Sequence, residues 1–238
     1  MSPESRRPSP AGCIPKLSSS VARAVKILEQ EFGVPTWKVK DPLDELIVTL
    51  LSQNTNDSNR DRAYLRLRER FPDWRALLTA RPGAVEDAIR PAGLAATKSV
   101  RMIAILNWVV ETFGELSLNR LKRMETDEVI VLLTRQKGIG VKTAAVTLAF
   151  SLGRDLCPVD THVHRIAQRL GWVKEGTPAD KTFHSLRALI PSGKAPTFHL
   201  NLLKFGRTRC TARSPHCSGC PLWNDCVWVG KGECESPE

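Results

Sequence analysis

Cys210, Cys217, Cys220 and Cys226 follow the spacing C-x6-C-x2-C-x5-C, close enough for four thiolates to share one metal centre. Cys217 and Cys220 form a CxxC pair able to bite one centre together, while Cys210 and Cys226 close around it from either side. Thiolate softness confines the metal to zinc or an iron–sulfur cluster. Structural zinc sites more often pair two CxxC knuckles across a longer insert, and only one knuckle is present, so a [4Fe–4S] cluster ranks ahead of zinc. Disulfides rank third. The opening MSPESRRPSPAGCIPKLSSS carries charges and prolines where an export signal needs an apolar stretch, and thiols that are not exported stay reduced. Cys13, Cys157 and Cys234 have no evident partners, and His216, next to Cys217, reads as a neighbour of the centre.

A second constellation is Lys137-Gly138-Ile139-Gly140, followed by Val141-Lys142-Thr143-Ala144. Two glycines permit a tight turn whose amides approach a ligand closely, and the helix that follows turns its positive N-terminal end to the same place. That suits a backbone phosphate of DNA, although many helix–helix connections use glycine only to reverse direction. By itself Lys142 is a basic residue in reach of a phosphate. Eighteen positions on stands Asp160, where an apolar run ends and a helix begins. Its plain reading is an N-cap, a role compatible with also facing a ligand. His162 and His164 are one residue apart on that helix and do not share a face.

The elements that must hold these residues read as helices. Gly33-Val34-Pro35, Phe71-Pro72, Arg81-Pro82-Gly83 and Pro91 divide a helical apolar pattern into short segments, no alternating strand-like segment of any length occurs, and the class is all-α. Leu43, Leu46, Ile47, Leu50 and Leu51 mark one buried face, with Asp41 as cap and Pro42 in the first turn. A further helix runs from about Lys98 to Thr112 through Ile103, Leu106 and Val110, and a mostly apolar one passes through Ala144, Val146, Leu148 and Phe150. Residues 1–18, rich in Pro, Ser and Arg, read as a flexible basic tail. The chain has 238 residues, 42% of them hydrophobic, and a net charge of +10 with a pI near 9.5. It is therefore expected to have a sizeable core and an anionic partner, with nucleic acid the default. No stretch approaches the roughly 18 apolar residues of a membrane span.

Gly138-Ile139-Gly140-Val141-Lys142-Thr143-Ala144, then Val159-Asp160-Thr161-His162, then the four-cysteine run, together resemble the endonuclease III family of DNA glycosylases in the helix-hairpin-helix superfamily. The likeness extends from about Val21 to Cys226 and includes Leu50-Leu51-Ser52-Gln53-Asn54 and Gly93-Leu94. It implies a [4Fe–4S] cluster on the four cysteines. It also implies a six-helix domain over 35–154 carrying the hairpin, a cluster domain made of 19–34 and 155–238, and a DNA cleft between them. In such an enzyme Lys142 is the nucleophile that attacks C1′ of a damaged nucleotide turned out of the duplex, and Asp160 assists. A lysine here accompanies combined glycosylase and AP lyase activity on oxidised pyrimidines, with β-elimination on the 3′ side, and argues against the adenine-specific branch. Leu94 matches the wedge that fills the vacated stack, and Gln53 and Asn54 the position of an amide side chain placed into DNA.

Two departures stand out. The family pattern has glutamine where this chain has Asn54, and proline where it has Lys137, whose charge can instead reach a phosphate. They keep open a second expectation, a catalytically weak lesion- or DNA-binding paralogue. An electron-transfer protein ranks third. Arg207, Arg209 and Arg213 flank the cysteine run and read as a basic surface for phosphates. The expected partner is damaged double-stranded DNA, without a membrane, bound by a monomer, and the expected location is the bacterial cytoplasm, at the nucleoid when DNA is bound.

Overall fold

The computed structural model describes residues 13–81 and 83–233, and among these eleven α-helices and several single 3-10 turns make up the regular structure, with no strand. No single helix among them is long and apolar enough to cross a membrane. The chain divides into two compact units. Trp37–Arg154 forms one, and the other joins the residues up to Thr36 with those from Asp155 onward.

In the Trp37–Arg154 unit, α2 (Pro42–Leu51) starts where Asp41 accepts a hydrogen bond from the Leu43 amide at 2.9 Å, with Pro42 at the first helical position. Leu43, Leu46, Ile47, Leu50 and Leu51 are all fully buried. This face packs along α8 (Val141–Leu152), whose small Ala144, Ala145 and Ala149 let the two helices approach closely. Each leucine buried there contributes about 1.5–3 kcal/mol of transfer free energy. Around this pair lie α3 (Asp57–Arg70), the short α4 (Trp74–Leu78) and α5 (Ala84–Ile89), α6 (Ala95–Phe113) and α7 (Thr126–Thr134). The face of α6 differs from the expected one. Met102, Ile105, Leu106, Val109 and Phe113 are buried, whereas Ile103 and Val110 are only half-buried. The helix starts earlier than its apolar pattern suggests and its core stripe begins with a lysine, Lys98, at 1% exposure.

In the other unit, α1 (Cys13–Phe32) packs against α10 (Ala179–Leu189) and α11 (Ala195–Thr208), and α9 (Thr161–Arg169) packs against both of these. Residues 13–18, expected in a tail, belong to α1, because Leu17 continues the stripe Val21, Ala24, Val25 and Leu28 by one turn; residues 1–12 lie outside the described residues. Side chains fasten this N-terminal helix to the distant C-terminal third. Trp172 Nε1 donates to Ser20 at 3.1 Å, Lys194 pairs with Glu29 at 2.9 Å, and Asn201 Nδ2 donates to the carbonyl of Gly33 at 3.1 Å. Gly206 is small for a reason: a Cβ there would lie 2.7 Å from His162 Cβ, so the contact of α11 with α9 needs glycine.

One polar cluster in the Trp37–Arg154 unit is open to a direct test. Asp44 accepts from Trp74 Nε1 at 2.9 Å and lies beside Tyr64, the single tyrosine of the chain. Burial, and after it the negative charge of Asp44, pushes the Tyr64 hydroxyl up to about 12. The folded state thus disfavours phenolate, so this contribution to stability is present below the ordinary tyrosine value near 10 and is lost as the pH rises from there towards 12. Ultraviolet titration of the folded protein is expected to show phenolate appearing near pH 12, and Asp44→Asn is expected to lower the midpoint only partway, since burial is the larger cause. A midpoint near 10 in the folded parent would contradict this account.

Candidate nucleic-acid interface and metal centre

In the hairpin, α7 ends at Thr134 and α8 begins at Val141. Gly138 adopts φ +98°, a region that favours glycine, and a Cβ on it would lie 2.8 Å from Arg101 Cδ, so both conformation and space require glycine. Gly140 is extended at φ −92° and is the N-cap of α8 without any side-chain cap. The amides of the first turn therefore have no capping side chain, the arrangement in which a helix N-terminus receives an anion. Lys142, half-buried, is the second residue of this helix, and Lys137 is exposed on the turn.

Two further segments of the same unit carry the other candidates. Asn54 (φ +52°) and Leu94 (φ +49°) are the two non-glycine residues of left-handed conformation among those described, a conformation that costs about 1–2 kcal/mol each. Leu94 is 59% exposed and Asn54 is also exposed. A large apolar side chain held outward on a strained backbone suits a wedge. Asparagine adopts this conformation more readily than most residues, which gives a physical reason for Asn54 where the family pattern has glutamine. Gln53 behaves differently from its neighbour. It is half-buried and its Nε2 donates to the Gly138 carbonyl at 2.9 Å, tying the end of α2 to the hairpin.

In the other unit, Asp160 caps α9, and one carboxylate oxygen, Oδ1, accepts from the amides of His162 at 2.9 Å and Val163 at 2.8 Å. His162 Nδ1 lies 3.1 Å from Arg165, and His164 Nδ1 lies 3.0 Å from the Thr182 hydroxyl, so each histidine has a structural partner. Arg207 is exposed in the last turn of α11. Cys157 is buried, which pushes its thiol well above the usual range. The side chains of Cys13 and Cys234 lie outside those described.

Cys210, Cys217, Cys220 and Cys226 line one cavity, together with Ile166, Leu170 and Phe205. Among the described residues no three His, Cys, Asp or Glu side chains converge tightly enough to hold a single ion. Four thiols around one cavity are the donor set an iron–sulfur cluster takes. The wall is cationic. Arg169, buried under the Trp228 ring at 4.0 Å, donates Nη1 to Cys210 Sγ at 3.2 Å and to the Thr211 carbonyl at 2.8 Å. Arg165 donates to the carbonyls of Cys210 at 2.6 Å and Gly206 at 2.9 Å, and Lys231 to those of Cys226 and Trp223. Burial raises the Cys220 thiol, so a metal centre bound through it would have to displace its proton. Neither Arg165 nor Arg169 is distinguishable in the sequence from a solvated arginine; their spacing of four on an amphipathic helix is the one available signal.

Comparison with known proteins finds two family matches along the chain. Residues 47–192 match the HhH-GPD superfamily of base excision DNA repair proteins, and residues 210–226 match the iron-sulfur binding domain of endonuclease III. Endonuclease III of Thermotoga maritima is 35% identical over 199 residues, 82% of this chain and 89% of that one; the Synechocystis enzyme is 33% identical over 218 residues, 89% and 94% of the two chains. An Arabidopsis thaliana relative is 41% identical over 163 residues, which are 68% of this chain and 55% of that protein. Two solved structures, a non-covalent endonuclease III–DNA complex and a trapped endonuclease III–DNA covalent intermediate, each superimpose with a TM-score of 0.78 at 25% identity, covering 91% of this chain and 97% and 98% of theirs. The fold and the first of these matches define a base excision DNA repair protein of the HhH-GPD superfamily. Within that class the chain belongs to the endonuclease III family of DNA glycosylases and carries a [4Fe–4S] cluster.

Replacing one of the cavity thiols tests the cluster assignment. Cys220→Ser is expected to reduce bound iron by more than the roughly 10- to 100-fold that a lost outer-shell partner costs, and to lower the melting transition and DNA affinity together. Full stability and full DNA binding in iron-free protein would contradict a cluster that organises this loop.

Proposed function

We propose that the protein removes oxidised pyrimidines from double-stranded DNA as a monomer and cleaves the resulting abasic site by β-elimination, with Lys142 as nucleophile, Asp160 as its assistant and Cys210, Cys217, Cys220 and Cys226 as cluster ligands. The observation that carries this reading is the position of Lys142, the second residue of a helix whose first-turn amides have no side-chain cap. Phosphates beside the target sugar find donors there, and the amine is held next to them.

The chemistry follows from an amine adjacent to C1′. The unprotonated Nζ attacks C1′, the bond to the base breaks, and the base leaves with the electron pair and takes up a proton. Opening of the sugar ring gives a Schiff base between Nζ and C1′. Loss of a 2′ proton then expels the 3′ phosphate, and water releases the lysine. Asp160 offers a carboxylate for the cationic sugar or the lysine proton, its orientation fixed by the two amides on Oδ1. The cluster, when bound, shapes the loop that follows α11 and supplies no step of the reaction. The covalent intermediate reported for a solved endonuclease III at 25% identity supports covalent chemistry in this chain as well. Exposed Leu94, Asn54, Lys137 and Arg207, with the hairpin glycines Gly138 and Gly140, supply the DNA contacts.

Borohydride reduction during reaction with an abasic-site duplex is expected to crosslink the parent protein and not Lys142→Ala, which should still bind the duplex. Equal crosslinking by Lys142→Ala would assign the nucleophile elsewhere.

The two duties of Asp160 separate by substitution. Asparagine caps a helix about as well as aspartate, whereas alanine costs about 1 kcal/mol. Asp160→Asn should therefore melt close to the parent yet lose about 10²-fold or more in excision rate, and Asp160→Ala should lose both. If Asp160→Asn kept parental excision, the carboxylate would have only its capping role.

A further inference from the structure

Lys98 has no part in the chemistry above, yet it is the one lysine among the described residues that is buried, at 1% exposure. It stands on the core face of α6, and its Nζ donates 2.8 Å to the Leu51 carbonyl and 2.9 Å to the Ala92 carbonyl. Burial lowers its pKa, with no carboxylate acting on it. A hydrophobic side chain would fill such a position at lower cost. What the ammonium holds is therefore informative.

Leu51 is the last residue of α2, and three positions on is Asn54 at φ +52°. Ala92 ends the 3-10 turn Arg90–Ala92, and two positions on is Leu94 at φ +49°. The two left-handed, exposed non-glycine residues thus each follow a carbonyl held by the same buried cation. Strained conformations of this kind persist only where the surroundings over-determine them. The same supports reach the hairpin, through the Gln53 hydrogen bond to the Gly138 carbonyl at 2.9 Å and through Arg101, one turn along α6 from Lys98, packed against Gly138.

We propose that Lys98 is a positioning residue that sets Asn54 and Leu94 in fixed relation, so that both enter the DNA stack together when a nucleotide is turned out. The inference rests on the glycosylase reading and adds a residue that acts through others, without touching DNA. Opening an intact, base-paired lesion needs the full insertion, whereas an abasic site has already lost its pairing and stacking. Loss of the clamp should therefore damage excision far more than cleavage at a preformed abasic site.

The test uses the full-length, cluster-loaded protein with Lys98→Met, which keeps length and removes both donors, and Lys98→Gln, which can reach at most one carbonyl, as a second variant should the first fail to fold. Excision of a thymine-glycol pair is expected to fall about 30-fold in Lys98→Met, equivalent to about 2 kcal/mol at 1.36 kcal/mol per decade. Abasic-site cleavage should fall less than about threefold, and Lys98→Gln should lie between. In a Leu94→Ala background the further cost of Lys98→Met should shrink to about threefold or less, as for residues acting through one another. Equal losses on both substrates, or full additivity with Leu94→Ala, would make Lys98 a merely structural residue and overturn the proposal, as would parental excision by either variant. A second readout needs no turnover: 2-aminopurine beside a tetrahydrofuran abasic analogue should brighten on binding the parent and not on binding either variant. Brightening by the variants overturns the role of Lys98, whereas a parent that brightens the probe but excises nothing overturns only the glycosylase reading.

Discussion

Every helix leaves amides at its start and carbonyls at its end without partners, and a chain of many short helices multiplies such ends relative to its core. Satisfying these groups from side chains is the constraint on which the rest of this structure depends. Asp41, Asn56, Asp73 and Asp160 accept amides at helix starts, and Asp155 accepts those of Gly193 and Ala195 at the start of α11. Carbonyls are served by long cations: Lys98 at the end of α2, Arg154 at Lys122 and Met124, Arg165 and Arg169 along the loop after α11. The start of α8 has no side-chain cap, as is also true of α5, α6 and α10. What sets α8 apart is that its open first turn follows the Gly138–Gly140 turn and carries Lys142, so an anionic ligand can complete its hydrogen bonds.

The discontinuous unit shows the same constraint at larger scale. Residues 13–36 and the C-terminal third are far apart in sequence, so their association carries a loop-closure entropy that local contacts do not. What offsets it is a mixed seam: the stripe Val21, Ala24, Val25 and Leu28 buries apolar area, and Ser20, Glu29 and the Gly33 carbonyl are met by Trp172, Lys194 and Asn201. Of the hydrophobic side chains in the cluster loop, Leu222 is the buried one. The loop's backbone carbonyls are held by Arg165 and Arg169 of α9, and a cofactor bound there would add to that organisation.

Much of this was legible in the sequence. The α2 face, the Asp41 cap and the hairpin followed from periodicity and from glycine placement, which are local properties. The cysteine run left zinc and an iron–sulfur cluster both open on spacing alone, and it was the resemblance, then the match at residues 210–226, that decided. Lys98 was illegible for a physical reason. A lysine at the head of an amphipathic helix reads as solvent-facing, and the carbonyls of Leu51, 47 positions away, and of Ala92 make its burial tolerable. The rolled face of α6 has the same origin, because a register that includes Lys98 favours Met102, Ile105 and Val109 over Ile103 and Val110. The left-handed backbones of Asn54 and Leu94 were equally hidden, since neither residue type demands that conformation.

Capping also explains how one residue can carry structure and chemistry together. Asp160 accepts the His162 and Val163 amides on the same oxygen, Oδ1, which restricts the carboxylate. A group held in this way loses little conformational freedom when a substrate arrives, because the freedom was already given up on folding. Lys98 applies that economy one step further from the reaction, spending a buried charge so that two exposed side chains keep a strained geometry before DNA is met. In both proposed roles a residue whose contacts are structural would lower the entropic cost of the functional encounter.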